Sequence, residues 1–216
     1  MDENDTIAAR QIDVYNKVAD TYGVSSKAVL LDDPQTQYLR FSELTKFMDF
    51  NDENKVVLDI GCGNGELYKF INFQGFRGQY IGYDINEKLL NQARSRFPGI
   101  NVQNKDVMRE EIAQHFDYVV LSGLFNLNVG QSKAWIYEFL RKIFSLCNGI
   151  MAFNMISTYV THSNERMFYL DPAEILTFCI QNISKRITLA HHNLPYNYTV
   201  TAFKNDSWNS VKEIIT

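Results

Sequence analysis

Three carboxylates and a run of alternate glycines carry the most legible chemistry in this chain of 216 residues. Residues Val56 to Glu66 read Val-Val-Leu-Asp-Ile-Gly-Cys-Gly-Asn-Gly-Glu, an apolar strand whose acid, Asp59, stands two positions before Gly61, Gly63 and Gly65. Alternate glycines let backbone N–H groups approach a ligand with no Cβ in the way, and the preceding strand fixes the loop at the carboxyl edge of a parallel sheet. Two more acids stand at expected strand ends. Asp84 closes Gln79 to Asp84, 25 residues after Asp59, and a carboxylate there can accept hydrogen bonds from both hydroxyls of a ribose. Asp106 closes a third strand, Ile100 to Val107. Such an arrangement suits a small, polar, nucleoside-like ligand.

The glycine segment with Asp59 ahead of it resembles motif I of the class I S-adenosylmethionine (SAM) dependent methyltransferases. A dinucleotide fold would use G-x-G-x-x-G to seat a pyrophosphate on a helix N-terminus, and Glu66 stands where that phosphate would be repelled. The cofactor implied by the resemblance carries a sulfonium and an ammonium in place of phosphates. The resemblance implies SAM as cofactor and S-adenosylhomocysteine as product, held by Asp59, Gly61, Cys62, Gly63 and Gly65. It further implies that Asp84, with Ile85 after it, meets the ribose. Asp106 would read the adenine amino group while the backbone N–H of Val107 meets the ring, and Ser122 completes the cofactor set. No metal is expected.

The elements that must position these residues alternate as a doubly wound α/β fold demands. The expectation is a seven-stranded, mostly parallel, Rossmann-like sheet with an antiparallel last strand and two N-terminal helices. A single domain over 1–216 would comprise a helical cap at 1–50 and a core at 55–205. The first helix carries Ile7, Val14, Tyr15, Val18, Ala19 and Tyr22 on one face and stops at Gly23, before the Ser25-Ser26 break. Asp33-Pro34 caps and opens the second, with Tyr38, Phe41, Leu44, Thr45 and Met48 as its apolar face. Tyr15 and Tyr22 are candidates for ligand contact. Helices follow at Glu66 to Phe73 and Glu87 to Phe97, and a fourth strand at Phe116 to Gly123 is apolar throughout, as burial on both faces requires. Ser132 to Cys147 repeats apolar residues at three- and four-residue steps and ends at Asn148-Gly149. A fifth strand, Ile150 to Ile156, leads into an irregular stretch from Ser157 to Leu170. Asp171-Pro172-Ala-Glu174 opens a last helix, and strands Arg186 to Ala190 and Tyr196 to Phe203 form an antiparallel hairpin.

Composition bounds the partners. A net charge of −4 with scattered basic residues shows no nucleic-acid footprint. The acidic N-terminus and the lack of an apolar run of about 18 residues argue for a cytoplasmic protein that neither spans nor binds a membrane. Three cysteines without a C-x-x-C pair read as reduced thiols.

The acceptor would then sit at the remaining carboxyl strand ends: the Ser122 to Asn126 turn, the 157–170 stretch and His191-His192. His191 is the candidate general base, since imidazole can take a proton near neutrality. Tyr159, His162, Arg166 and Tyr169 could line a polar pocket. Phe168-Tyr-Leu-Asp-Pro172 with His191-His-Asn-Leu-Pro-Tyr196-Asn-Tyr-Thr199 looks like the C-terminal half of methyltransferases tied to surface glycans and secondary metabolites. The implied reaction is methyl transfer to an oxygen or nitrogen of a small polar metabolite, a sugar-linked compound being one form. The fourth-strand turn lacks the Asx-Pro-Pro-aromatic and Pro-Cys signatures of base and amide methylation. A methyltransferase acting on RNA or protein and a non-catalytic SAM-binding regulator remain as alternatives.

Overall fold

The computed structural model describes residues 2–22 and 34–204. Two helices, α1 (Glu3–Tyr22) and α2 (Pro34–Leu44), precede a sheet and its covering helices. In chain order these are β1 (Val56–Ile60), α3 (Glu66–Phe73), β2 (Gln79–Asp84), α4 (Glu87–Arg96), β3 (Val102–Asn104) and β4 (Phe116–Leu121). There follow α5 (Lys133–Ser145), β5 (Cys147–Ser157), β6 (Tyr169–Leu170), α6 (Pro172–Asn182), β7 (Ile187–Leu194) and β8 (Asn197–Phe203).

The strands pair in the order β3-β2-β1-β4-β5-β8-β7, with the short β6 beside β5. Strands β1 to β5 run parallel, and β8 enters antiparallel between β5 and β7. This is the expected doubly wound sheet of seven strands, extended by the two-residue β6. Period-two alternation feeds two cores from one strand. Leu58 and Ile60 of β1 face a layer with Val119, Ile136, Leu140 and Phe153, whereas Val57 faces Leu67, Ile71, Leu90 and Val120 on the other side.

Several boundaries differ from expectation, each for a local reason. The helix α1 begins four residues before Ile7, its first free N–H groups served by Asp2, whose carboxylate accepts from the N–H of Asp5 at 2.8 Å. The side chain of Tyr22, the Gly23 stop, the Ser25-Ser26 break and the Asp33 cap lie outside the described residues. The chain leaves α2 at Leu44, before Met48, where Thr45 turns its hydroxyl back to the Phe41 carbonyl. Only Val102–Asn104 pair in β3, so Asp106 lies in the turn beyond the strand. The Asn148-Gly149 pair is not a helix stop; it lies inside β5, where a Cβ on Gly149 would stand 2.6 Å from the Asp117 carbonyl at a register shift. The stretch read as irregular is tied down by β6 and by Phe168 N–H bonding the Asn126 carbonyl at 2.9 Å. Asp171 caps α6 as expected, accepting from Ala173 and Glu174 N–H. Glu174 instead reaches Lys133 at 2.6 Å and the Tyr137 hydroxyl at 2.8 Å, joining α6 to α5. His191 and His192 lie within β7, where the pairing with β8 is irregular between Ala190 and Leu194, and not beyond its end.

One contact near the glycine loop depends on an absent side chain. Gly82 lies in β2 opposite Asp59, and a Cβ there would stand 2.8 Å from Cys62 Sγ and 3.0 Å from the Tyr80 hydroxyl. Gly82→Ala is therefore expected to destabilise the fold by about 1–3 kcal/mol through overpacking, read as a lower urea midpoint with an unchanged slope.

Candidate functional site

The loop after β1 is built by backbone geometry that only glycine adopts without strain. Gly61, Gly63 and Gly65 have φ of 73°, 53° and 84°. The loop is tied to the end of β2 in two ways: Gly61 N–H bonds the Tyr83 carbonyl at 2.8 Å, and Gly63 N–H bonds Asp84 Oδ2 at 2.8 Å. Asp84 Oδ1 accepts from Asn86 N–H at 2.8 Å, and the Ile85 N–H is a third backbone donor to this carboxylate. Burial raises the Asp84 pKa, against the lowering effect of these N–H groups. Asn86 in turn caps α4 through Lys88 and Leu89 N–H.

A cavity opens over this loop at the carboxyl edge of the sheet. Its wall includes Asp59, Gly61, Cys62, Gly63, Asp84, Ile85, Asp106, Val107 and Ser122, so nine of the cofactor candidates come together. Gly65, the tenth, stands at the start of α3 with Phe97 and Ile100 3.1 and 3.3 Å from where its Cβ would be. Cys62 turns its sulfur into the core against Gly82, leaving its backbone as the part at the loop surface. Asp106 caps its own turn through Met108 N–H at 2.9 Å and lies 3.5 Å from Arg109 Nε. Glu66 is paired with Arg96 at 2.5 Å, and Arg96 also bonds the Asn64 carbonyl at 2.9 Å. Its charge is thus neutralised by a partner, and the repulsion of a phosphate expected from Glu66 does not follow from this geometry.

The two N-terminal helices roof the cavity. Along its length α1 is fastened across the sheet edge: Asn4 accepts from Trp135 Nε1, Glu3 from Ser132 N–H at 3.0 Å, Arg10 donates to the Val129 carbonyl at 2.9 Å, and Asn16 accepts from Asn86 Nδ2 at 3.0 Å. Asp20 pairs with Lys88 near the far end. Ile7, Gln11 and Tyr15 face the cavity from α1, and Gln37, Arg40 and Phe41 from α2. Burial pushes the Tyr15 hydroxyl up to about 12, the nearby Asp84 adding to the shift and Arg40 opposing it. Arg40 Nε is buried with no hydrogen-bond partner among the described residues. Tyr15, a candidate for ligand contact from the sequence, thus lines the cavity, and Ile7 and Phe41 are apolar-face residues the sequence also marks, whereas Gln11, Gln37, Arg40 and Asn86 were not singled out. Asn86 alone had a local signal, an Asn directly before a helical run.

The acceptor candidates fare differently. Ser122 to Leu124 and Asn126 line the cavity, together with Leu127, Ile156 and Met167. His191 is not among the lining residues; its ring packs against Tyr198 with centroids 6.0 Å apart, and its Nε2 is buried without a partner among the described residues. His192 lies 3.6 Å from Glu43, which also accepts from Asn193 at 2.5 Å, so this part of β7 braces α2. Tyr159, His162, Arg166 and Tyr169 also lie off the cavity wall, with the Tyr169 hydroxyl accepting from Asn164 N–H at 2.8 Å.

Beneath the loop, Asp59 is 2% exposed and accepts from the Tyr80 hydroxyl at 2.8 Å. Burial raises its pKa to about 7, opposed by the Tyr80 hydrogen bond and reinforced by Asp84. An acid whose folded pKa lies above its unfolded value near 3.8 binds a proton more tightly when folded. Its contribution is therefore most favourable below about pH 4, is lost at about 1.4 kcal/mol per pH unit between there and pH 7, and is constant above. Asp59→Asn should remove that slope while keeping an acceptor for Tyr80, so the wild-type and variant stability curves should diverge between pH 4 and 7 and run parallel above.

Comparison with known proteins agrees with this geometry. Residues 57–147 match a family model described as a methyltransferase domain. A Mycobacterium tuberculosis (strain ATCC 25618 / H37Rv) protein named as a methyltransferase is 28% identical over 155 residues, which span 68% of this chain and 92% of that protein. Among solved structures, the magnesium protoporphyrin IX methyltransferase of Synechocystis PCC 6803, with bound S-adenosylhomocysteine, superposes with a TM-score of 0.67 at 14% identity, covering 94% of this chain and 98% of that one. The plantazolicin methyltransferase BpumL, in complex with a triazolic desmethylPZN analogue and S-adenosylhomocysteine, gives 0.66 at 15% identity, covering 94% and 99%. Residues 57–147 thus resemble a methyltransferase domain, and the fold that carries them is the Rossmann-like one of class I SAM-dependent methyltransferases.

Proposed function

We propose that the cavity over the glycine loop holds SAM and a small-molecule acceptor together, and that the methyl group passes to an oxygen or nitrogen of that acceptor. The observation that carries this reading is the cavity itself, one space lined at one end by strand-end acids and at the other by the Ser122 to Asn126 turn and its apolar neighbours. When bound, SAM supplies an already activated methyl carbon.

The residues present fit that cofactor. Asp84, fixed by the backbone N–H groups around it, faces the cavity as the acceptor for the two ribose hydroxyls, while Ile85 gives an apolar wall beside it. Asp106 and Val107 line the stretch assigned to adenine. Gly61, Cys62, Gly63 and Gly65 give the closely approachable backbone for the amino-acid part, and Ser122 stands at the edge toward the acceptor. Arg40, a half-buried side chain beside Tyr15 whose buried Nε has no partner among the described residues, suits the carboxylate of that amino-acid part.

Methyl transfer is an in-line displacement, so alignment and exclusion of water supply most of what the protein must do. The roof formed by α1 and α2 serves both ends. The acceptor end combines Leu124, Leu127, Ile156 and Met167 with the amides of Gln11 and Asn126. We therefore assign as acceptor a small amphipathic molecule, polar at the methylated atom and apolar beside it. The segments behind the sugar-linked expectation, 168–172 and 191–199, are not part of the cavity wall, and the proposal gives His191 no role in moving a proton.

Titration calorimetry tests the cofactor assignments. Asp84→Ala should weaken SAM binding by about 1–3 kcal/mol, and an unchanged affinity would remove Asp84 from the ribose site. Arg40→Gln should weaken SAM and S-adenosylhomocysteine about tenfold, the worth of one charge-assisted hydrogen bond, yet leave methylthioadenosine, which lacks the amino-acid part, unaffected. Equal loss for all three ligands would place Arg40 in a purely structural role.

A further inference from the structure

Asp59 is a buried acid without a positive partner. It makes no ion pair among the described residues, and the groups facing it are all neutral or negative when titrated: Tyr80 from β2, Cys62 from the loop above, and Asp84 at the end of β2. Its one hydrogen bond among the described residues goes from the Tyr80 hydroxyl to Oδ2 at 2.8 Å. That hydroxyl reaches Asp59 across Gly82, whose missing Cβ leaves the space. Asp59 also lines the cavity, so the carboxyl group is covered by protein below and by any ligand above.

We propose that Tyr80 is a positioning residue for cofactor binding: its hydroxyl holds Oδ2 of Asp59, directing the rest of the carboxyl group toward the positive charge of SAM, and binding drives the Asp59 proton into solvent. The inference rests on the reading that this cavity holds SAM. A carboxylate in a desolvated site is unfavourable alone and favourable beside a cation. Before binding, the acid is most stable carrying its proton. A ligand that brings a sulfonium and an ammonium into the same space reverses that preference, and the hydrogen ion leaves for the buffer while the carboxylate remains. Tyr80 serves this exchange because a hydroxyl donor favours the ionised form without itself adding charge. SAM affinity thereby becomes linked to pH through one identifiable group.

Calorimetry of the wild-type protein with SAM and with S-adenosylhomocysteine, in two buffers of different protonation enthalpy, counts the protons released. Near pH 6 the release should approach one per SAM, fading above about pH 8, and affinity should rise by roughly tenfold per pH unit before levelling off near pH 7. Release with SAM alone identifies the sulfonium as the group that Asp59 meets, and release with both ligands identifies the ammonium. Tyr80→Phe should move the levelling-off to higher pH, whereas loss of a merely structural contact would lower affinity equally at every pH. Asp59→Asn should abolish the release and flatten the profile.

Proton release that persists in Asp59→Asn would overturn the proposal, since the proton would come from another acid such as Asp84. So would tight SAM binding with no release and no pH dependence from pH 5.5 to 8, an outcome that leaves the cofactor reading standing. Failure of folded wild-type protein to bind SAM at any pH would overturn both.

Discussion

The junction between the ends of β1 and β2 governs the rest of this molecule. Gly61 and Gly63 turn the chain so that two successive loop segments give N–H groups to β2, one to the Tyr83 carbonyl and one to the Asp84 carboxylate. A carbonyl takes either hydrogen bond without consequence, but a carboxylate that holds the loop is also fixed by it. Asp84 is thus oriented by the loop that it orients, and Asn86 completes the arrangement by closing α4 and reaching α1. Loop, second strand, fourth helix and cap are consequently one connected unit. A side chain at Gly61 or Gly63 would strain this junction even with space around it, because φ is positive at both.

The cap owes its position to polar fastenings spaced along α1 more than to a continuous apolar face. Ile7 and Ala19 are buried, yet the residues between them reach the sheet edge through Arg10, Gln11 and Asn16. α2 is held differently, by Tyr38 and Phe41 against Phe70 of α3 and by Glu43 against the β7 residues His192 and Asn193. The α1 contacts are partly buried, and Ile7 with Val14 and Tyr15 packs on the core beneath them, so α1 is held by both kinds of interaction.

What the sequence discloses about this protein follows the range of the interactions involved. The glycine loop, Asp84 at the end of β2 and the Asp171 cap are local patterns, and the structure contains each of them, whereas Asp106 falls two residues beyond the end of β3. Contacts between distant segments leave no such trace. Nothing in the spacing of Tyr80 and Asp59 announces a hydroxyl passing across Gly82, and Arg40 reads as an ordinary polar position on a helix. Glu66 looked like a repelling anion because Arg96, thirty residues away, is the partner that neutralises it. His191 was placed at a strand end, but β7 continues to Leu194 and is an edge strand beside β8, remote in sheet order from the β1 to β4 loops. Strand length and strand order together decide which carboxyl ends face the cavity, and length is the less legible of the two.

The preference for a cationic ligand over a pyrophosphate has to be found elsewhere than in Glu66. Asp59, Asp84 and Asp106 line the cavity beside the paired Glu66, and among the described residues Lys105 and Arg40 are the cations of its wall. Lys105 lies over the Tyr83 ring at 5.5 Å, which leaves Arg40 as the cation with a buried, unsatisfied donor. Desolvation magnifies both signs. A buried acid and a half-buried one near one loop, each with its pKa raised, form an environment in which a doubly charged anion is costly and a sulfonium or ammonium is welcome. The single guanidinium suits one carboxylate. The chemistry that distinguishes SAM from a dinucleotide is thus spread over several elements of the sheet edge, and the glycine spacing is its most compact expression and not its cause.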